Sequence, residues 1–255
     1  FDLNLYFLPA MTAHKNKAFI LTLASSELIA TGVKRISFNL SDHNFDFIPG
    51  QFLNLLIKLE NQIYERSFSI ASNNKILSKI ELIVTSVTDS KISEYLFNLE
   101  PGSTMEAKGP YGDLVLNDFK NKRLFLISTG SGIAPHRSML FQLIDNQLEI
   151  TKTEIISVVR SREHRILFKD FIEASLEDET IDFINCYSEK IYDDLNEWEA
   201  CCSIIDLLKT KELKSGQDIF YLCGNQKIID QIFKFLISNN IMKEEIKFEG
   251  YKPNV

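Results

Sequence analysis

Three short strings hold residue types that can do chemistry together. The first is RSFSIAS, residues 66–72. Within four positions it supplies a guanidinium (Arg66), an aromatic ring (Phe68) and two hydroxyls (Ser67 and Ser69). A ligand combining a pyrophosphate, a flat ring and a reactive ring nitrogen wants those groups. On a strand, Arg66 and Phe68 point one way and Ser67 and Ser69 the other, so a bend or bulge is needed to gather all four around one ligand. The second string is STGSGIAP, residues 128–135, which follows an apolar run and opens a helical pattern. This is the strand–turn–helix setting of a dinucleotide loop. Gly130 permits the tight turn, and Gly132 lets backbone approach a pyrophosphate, with Thr129 and Ile133 beside them. Pro135 stands where G-x-G-x-x-G has its third glycine. The third string, DIFYLCGN, sets Cys223 and Gly224 at the end of another apolar run. Ligands bind at the carboxyl ends of parallel strands, although a strand-end cysteine is otherwise a small buried hydrophobe.

The elements that must position these residues fall into two rhythms. Up to about residue 118 the apolar pattern runs at strand length: 18–23, 33–40, 52–59, 66–70, 79–84 and 104–108. Turn signals such as Pro49-Gly50 and Pro101-Gly102 separate the strands, and one short helix falls near 92–99. Six short strands with little helix predict a closed antiparallel barrel. From Arg123 onward strands alternate with helices; the strands are 124–128, 154–159, 181–187, 219–223 and 246–249. Residues 226–240 carry Ile228, Ile229, Ile232, Phe233, Leu236 and Ile237 on one helical face. Such alternation predicts a parallel sheet covered by helices on both sides. The expected fold is therefore α+β in two domains. A six-stranded antiparallel barrel (17–118) precedes a five-stranded parallel α/β domain (119–255), with the boundary at 117–122. Residues 1–16 are a lead-in outside the functional argument, either native or added ahead of a start at Met11.

Composition narrows the function classes. With 45% hydrophobic and 25% charged residues in 255, the chain has the make-up of a soluble globular protein. Its 28 basic against 35 acidic residues, net charge −7, argue against a general nucleic-acid binder. No apolar run approaches the roughly 18 residues needed to span a bilayer. Cys186, Cys201, Cys202 and Cys223 form neither a C-x-x-C pair nor an iron–sulfur spacing, so no metal is expected. Reduced thiols make a cytosolic location the default.

In their order and spacing the three strings resemble the ferredoxin–NADP reductase superfamily over about residues 17–251. The resemblance implies FAD in the first half, with Arg66 on the pyrophosphate, Phe68 against the flavin and Ser69 at ring N5. Many members carry Tyr where Phe68 stands. It also implies backbone contacts at Ile83 and Val84, and a pyrophosphate contact from Ser93 of SKIS, where Ser90 replaces the usual Gly. Ser93 is equally a plain helix cap. GPYGDLVL, residues 109–116, matches the turn that closes the family's barrel. In the second half the resemblance implies NADH or NADPH beside Cys223 and Gly224, with His136 at the rim of the site. Ser188-Glu189 stands where members preferring the phosphorylated coenzyme often carry Ser-Arg. A carboxylate there accepts ribose hydroxyls and repels a 2′-phosphate. Arg160 opens RSREHR, but members of both preferences carry it, and the balance favours NADH. In the tail FEGYKPNV, Phe248 and Tyr251 are both candidates to cover the flavin. Glu249 is a candidate for proton delivery, and Phe248 and Glu249 alternatively just complete the last strand. Ser69, Cys223 and Glu249 are thus the expected catalytic positions. The expected activity is hydride transfer from NAD(P)H to flavin in a monomer. Electrons then pass to a separate ferredoxin, flavodoxin or oxygenase component. The alternatives are a free-flavin reductase and a non-catalytic flavin- or nucleotide-binding subunit.

Overall fold

The structure is a computed structural model that describes residues 18–40, 45–117, 120–146 and 149–251. The lead-in at 1–16 lies outside the described residues, as do 118 and 119 at the expected boundary. Among the described residues no helix is long and apolar enough to cross a membrane.

Six strands make the first sheet: β1 (Phe19–Ala30), β2 (Val33–Leu40), β3 (Phe52–Leu59), β4 (Gln62–Ser69), β5 (Lys79–Thr85) and β6 (Thr104–Tyr111), with α1 (Lys91–Phe97) between the last two. Their order is β4-β3-β6-β1-β2-β5, antiparallel throughout. The two edges meet through an Ile70↔Leu82 bridge and an Ala71 N–H to Glu81 carbonyl bond of 2.8 Å, which closes the barrel. Alternation fills it: Leu53, Leu55 and Ile57 of β3 join Leu21, Leu23, Ile36 and Phe38 in one buried cluster. Strand β4 begins earlier than the apolar pattern indicates. Glu60 and Asn61 both take positive φ (49° and 62°), so a two-residue hairpin joins β3 directly to β4.

The second sheet holds β7 (Lys122–Thr129), β8 (Ile150–Val159), β9 (Ile181–Tyr187), β10 (Glu199–Ala200), β11 (Asp218–Asn225) and β12 (Ile246–Tyr251). Its order is β10-β9-β8-β7-β11-β12, all parallel. It has six strands rather than the expected five, because β10 is a two-residue edge strand too short to show a period. Helices α2 (Ile133–Asn146) and α3 (Phe168–Glu177) share a core with Leu124, Leu126, Ile155 and Phe183 on one face. On the other, α4 (Ile204–Lys209) and α5 (Gln226–Ser238) pack on Phe125, Ile127, Ile156 and Phe220. The apolar stripe of α5 is narrower than its sequence suggests: Ile229, Ile232 and Leu236 are buried, whereas Ile237 is 41% exposed.

The α2–α3 core also contains Val33, Ala71, Ile83, Leu114 and Leu116 of the first half, so the two sheets are joined through α2. Arg137 on α2 is buried there. It donates to the Ala71 carbonyl (2.8 Å), to Glu81 of β5 (2.8 Å) and to Asp170 of α3 (2.5 Å). Ser138 adds a bond to the Ser72 carbonyl at 2.8 Å. Truncating Arg137 takes from Glu81 its buried partner and leaves it only the more exposed Lys79 ammonium at 3.2 Å, and breaking a buried pair in this way typically costs about 3 kcal/mol. Arg137→Met is therefore expected to lower the free energy of urea unfolding by about that amount. A loss under about 1 kcal/mol would show that the apolar contacts alone hold the halves together.

Candidate active site

Because the strands of the second sheet are parallel, all its carboxyl ends lie along one edge. That edge carries Thr129 at the end of β7 and Gly130 just after it, Arg160 after β8, Ser188 and Glu189 after β9, Cys223 and Gly224 at the end of β11, and Glu249 and Tyr251 at the end of β12. One register level just inside it crosses all six strands, pairing Glu249, Cys223, Ser128, Ser157, Asn185 and Glu199 in turn. Not one of them is a plain hydrocarbon.

At one end of that row the two sheets meet. The Ser69 hydroxyl, from the last position of β4, lies 2.8 Å from the Tyr251 hydroxyl and 3.5 Å from a Glu249 carboxylate oxygen. The Cys223 thiol donates to the same Tyr251 hydroxyl at 3.3 Å. Four chemically active side chains thus form one bonded cluster, in which Ser69 meets Glu249 and Tyr251 across 180 and 182 positions of sequence. Burial pushes the Glu249 carboxyl up to about 7, against a smaller opposing pull from the Ser69 hydrogen bond, and no cation among the described residues forms an ion pair with it. Burial also pushes the Cys223 thiol and the Tyr251 phenol well up, so both stay protonated at neutral pH.

The glycines of the loops are used for packing as well as for turning. Gly130 turns the chain with φ +53° and has open space where a Cβ would stand. Gly132 has a packing reason beside the one its motif suggests. A Cβ there would lie 2.2 Å from the Cys223 carbonyl oxygen, so the missing side chain admits the β11 backbone. Gly224 answers it, since a Cβ would fall 2.2 Å from Thr129 Oγ1, which accepts from the Asn225 N–H at 2.7 Å. His136 is not at a rim. Residues 132–140 are all buried because α2 is covered on both sides, and neither ring nitrogen of His136 has a partner among the described residues. Burial pushes its pKa down to about 3, leaving the ring neutral.

In the first half Arg66 and Phe68 lie half-buried against the barrel, and Ser69 points the other way into the cluster. Arg66 donates to the Glu65 carbonyl at 3.0 Å, while its Nε is buried without a partner among the described residues. Its guanidinium lies 5.9 Å over the Tyr64 ring. Tyr64 in turn lines a cleft of about 180 Å³ with Ser90, Lys91 and Ile92 at the start of α1. An unpartnered guanidinium nitrogen beside such a cleft fits a pyrophosphate-bearing cofactor. Ser67 donates to Asn54 at 2.7 Å, away from the Ser69 cluster. Ile83 and Val84 are buried in two different cores, which leaves only their backbone to face a ligand. The Ser93 hydroxyl accepts from the Val87 N–H (2.9 Å) and its own amide is capped by Ser90, so side chain and amide are both engaged locally.

After β9 the Ser188 and Glu189 amides bond back to the Val159 and Arg160 carbonyls at 2.9 and 3.1 Å, which lays the two loops side by side. Arg160 faces Glu189 at 3.9 Å. Two residues of consequence escaped the sequence reading. Arg137 looks like any cation on a helix until its burial is seen. Glu199 lies in an irregular stretch with no periodic signal, yet its carboxylate is buried among arginines.

Known families match both halves of the chain. Residues 20–116 match the oxidoreductase FAD-binding domain and residues 126–234 the oxidoreductase NAD-binding domain. A ferredoxin–NADP reductase B from Sorangium cellulosum is 38% identical over 109 residues, covering 42% of this chain and 45% of that protein. A flavodoxin/ferredoxin–NADP reductase from Buchnera aphidicola is 28% identical over 218 residues, covering 79% of this chain and 83% of that one. The chain thus spans about half the length of the first of these relatives and most of the second. A solved ferredoxin NADP+ reductase from Neisseria gonorrhoeae with bound FAD and NADP superposes with a TM-score of 0.81 at 20% identity, over 92% of this chain and 98% of that one. The chain belongs to the ferredoxin–NADP reductase superfamily, whose FAD-binding and nicotinamide-binding halves it carries in order.

The Glu249 carboxyl gives a stability signature. Its folded pKa of about 7 lies above the ordinary 4.5, so the folded protein holds this proton more tightly than the unfolded chain. The resulting stability is full below about pH 4.5 and is lost as pH rises through 7, by up to about 3 kcal/mol. Glu249→Gln is expected to gain on the parent steadily over that window in pH-resolved thermal unfolding of flavin-free protein. A difference that ignores pH would place Glu249 in ordinary solvent.

Proposed function

We propose that this chain is an FAD-dependent reductase that takes hydride from NAD(P)H and passes electrons to a separate acceptor. One observation carries the reading: Ser69 of the barrel joins Cys223, Glu249 and Tyr251 of the parallel sheet in a single bonded cluster. FAD supplies the redox chemistry, accepting two electrons from a nicotinamide and releasing them singly. The chain supplies position. Arg66 and the cleft beside Tyr64 hold the pyrophosphate, and Phe68 offers its ring to the flavin. Ser69 fixes the reactive nitrogen by a hydrogen bond, and Cys223 stands across from it to orient the incoming ring. The Tyr251 hydroxyl now bridges Ser69 and Cys223, so a nicotinamide entering between them must displace it. Glu249, with a pKa near neutrality, can give or take a proton through Ser69 without a large energetic step.

The coenzyme favoured is NADH, because a carboxylate at Glu189, just after β9, would accept ribose hydroxyls and repel a 2′-phosphate. Ferredoxin, flavodoxin or an oxygenase component is the proposed acceptor. The Sorangium relative, a ferredoxin–NADP reductase, and the Buchnera relative, a flavodoxin/ferredoxin–NADP reductase, support the first two. We read the protein as a cytosolic monomer with its flavin unit in residues 17–118. A second reading, a free-flavin reductase, draws on Phe68: lacking the hydroxyl of a tyrosine, it gives up one hydrogen bond to the cofactor, about 1 kcal/mol.

Anaerobic rapid mixing of FAD-loaded protein with NADH and, separately, NADPH is expected to bleach the flavin, faster with NADH. Ser69→Ala should slow bleaching by roughly tenfold or more while leaving FAD bound. No bleaching by either coenzyme would overturn the enzyme reading in favour of a non-catalytic binding subunit. Loss of flavin on gel filtration would favour the free-flavin reductase.

A further inference from the structure

Four cations crowd the carboxyl ends of β8 and β9: Arg160, Arg162, Arg165 and Lys190. At the edge of a dinucleotide sheet, such a group is the usual composition for gripping a phosphate. Each cation here already faces a carboxylate. Lys190 meets Glu163 at 2.6 Å and Arg160 meets Glu189 at 3.9 Å, both pairs well exposed. The other two converge on Glu199, whose side chain is 1% exposed. Arg162 grips both of its oxygens, through Nε at 3.0 Å and Nη2 at 2.8 Å, and Arg165 adds a third bond at 3.3 Å. The Tyr187 hydroxyl and the Asn196 N–H complete the shell. Arg162 is fixed further by Asp194 at 2.7 Å and by stacking on the Tyr192 ring at 4.4 Å.

The placement of Glu199 is rigid. It lies on β10 in register with Asn185 of β9, and the Asn185 N–H bonds the Trp198 carbonyl beside it at 2.8 Å. For Arg162 to reach a phosphate it must abandon a bidentate partner and leave a buried carboxylate short of donors. That exchange is unfavourable in a low-dielectric setting. Exposed carboxylates such as Glu189 can swing aside; Glu199 cannot.

We propose that Glu199 is a specificity-determining residue. By sequestering Arg162 and Arg165, it withholds two of the four cations from a 2′-phosphate, leaving only the exposed Arg160 and Lys190, and steers the site to the non-phosphorylated nicotinamide coenzyme. The proposal rests on the reading that a dinucleotide binds along this edge. Glu199 acts through the two arginines and touches no ligand itself, so it is a positioning residue.

The test compares 5′-AMP with 2′,5′-ADP, which differ only by the 2′-phosphate, by calorimetry on the FAD-loaded full chain. Wild-type protein is expected to bind 2′,5′-ADP no more tightly than 5′-AMP. Glu199→Gln should shift the affinity ratio toward 2′,5′-ADP by roughly tenfold or more, the worth of one charge-assisted bond. Adding Arg162→Gln to that variant should return the ratio most of the way. Tighter binding of 2′,5′-ADP by wild-type protein overturns the proposal, whether or not the variant folds. An equal loss of both ligands in a folded Glu199→Gln protein, or an unmoved ratio, also overturns it, because a merely structural carboxylate would behave so. Failure of wild-type protein to bind either nucleotide instead overturns the dinucleotide reading beneath it.

Discussion

The structure turns on the buried guanidinium of Arg137. It is the first long polar side chain after the Gly130–Pro135 turn, and it reaches across the seam to the Ala71 carbonyl and Glu81 of the barrel while still holding Asp170 on α3. Ala71 stands two residues beyond Ser69, and Glu81 shares β5 with Ile83 and Val84. The same contact that joins the halves therefore fixes the strand ends that face the second sheet. Carbonyl and carboxylate partners in a fixed fork leave a guanidinium little freedom. Cys223 and Ser69, on separate sheets, can share one phenol hydroxyl only if that seam does not slide. Within the second half, the contact of Gly132 with the Cys223 carbonyl fixes the β7 turn on β11 by the same logic, with backbone in place of charge.

Much of this was legible in the sequence. Strands β2, β3 and β9 fall where the apolar pattern puts them, because each is a full-length run with one or both faces buried. The order and spacing of the strings around Arg66, Gly130 and Cys223 were enough to indicate the superfamily, and Gly130 and Cys223 sit at a turn and a strand end where backbone and packing limit the residue types tolerated. Other features left no short-range trace. The β3–β4 hairpin lacks the Asn-Gly pair that advertises such a turn, and β10 is two residues long. His136 follows a proline in a polar-looking string, and only the packing of α2 between a sheet and a barrel reveals that it is buried. The packing role of Gly132 left no trace for a related reason. A motif names the residue, but not which neighbour occupies the missing Cβ.

The register row across the parallel sheet shows how one residue type does opposite work in two settings. Glu249 and Glu199 stand at its two ends, five strand steps apart. Burial acts on both in the same direction, favouring the neutral acid. At Glu249 nothing stronger opposes it among the described residues: the Ser69 hydroxyl is 3.5 Å away and no cation there is paired with it, so the group titrates near neutrality. At Glu199 burial again raises the pKa, but hydrogen bonds from Arg162 and Tyr187 outweigh it and hold the carboxyl below its ordinary range. One end is therefore poised to exchange a proton and the other is a permanent charge. The difference lies wholly in what the flanking loops bring. The β9–β10 connection arrives with the Tyr187 hydroxyl and meets two arginines from the β8 loop, whereas β12 arrives beside a serine, a thiol and a phenol. A parallel sheet makes such a division cheap, because it aligns strand ends to one level and leaves each loop free to set the chemistry there.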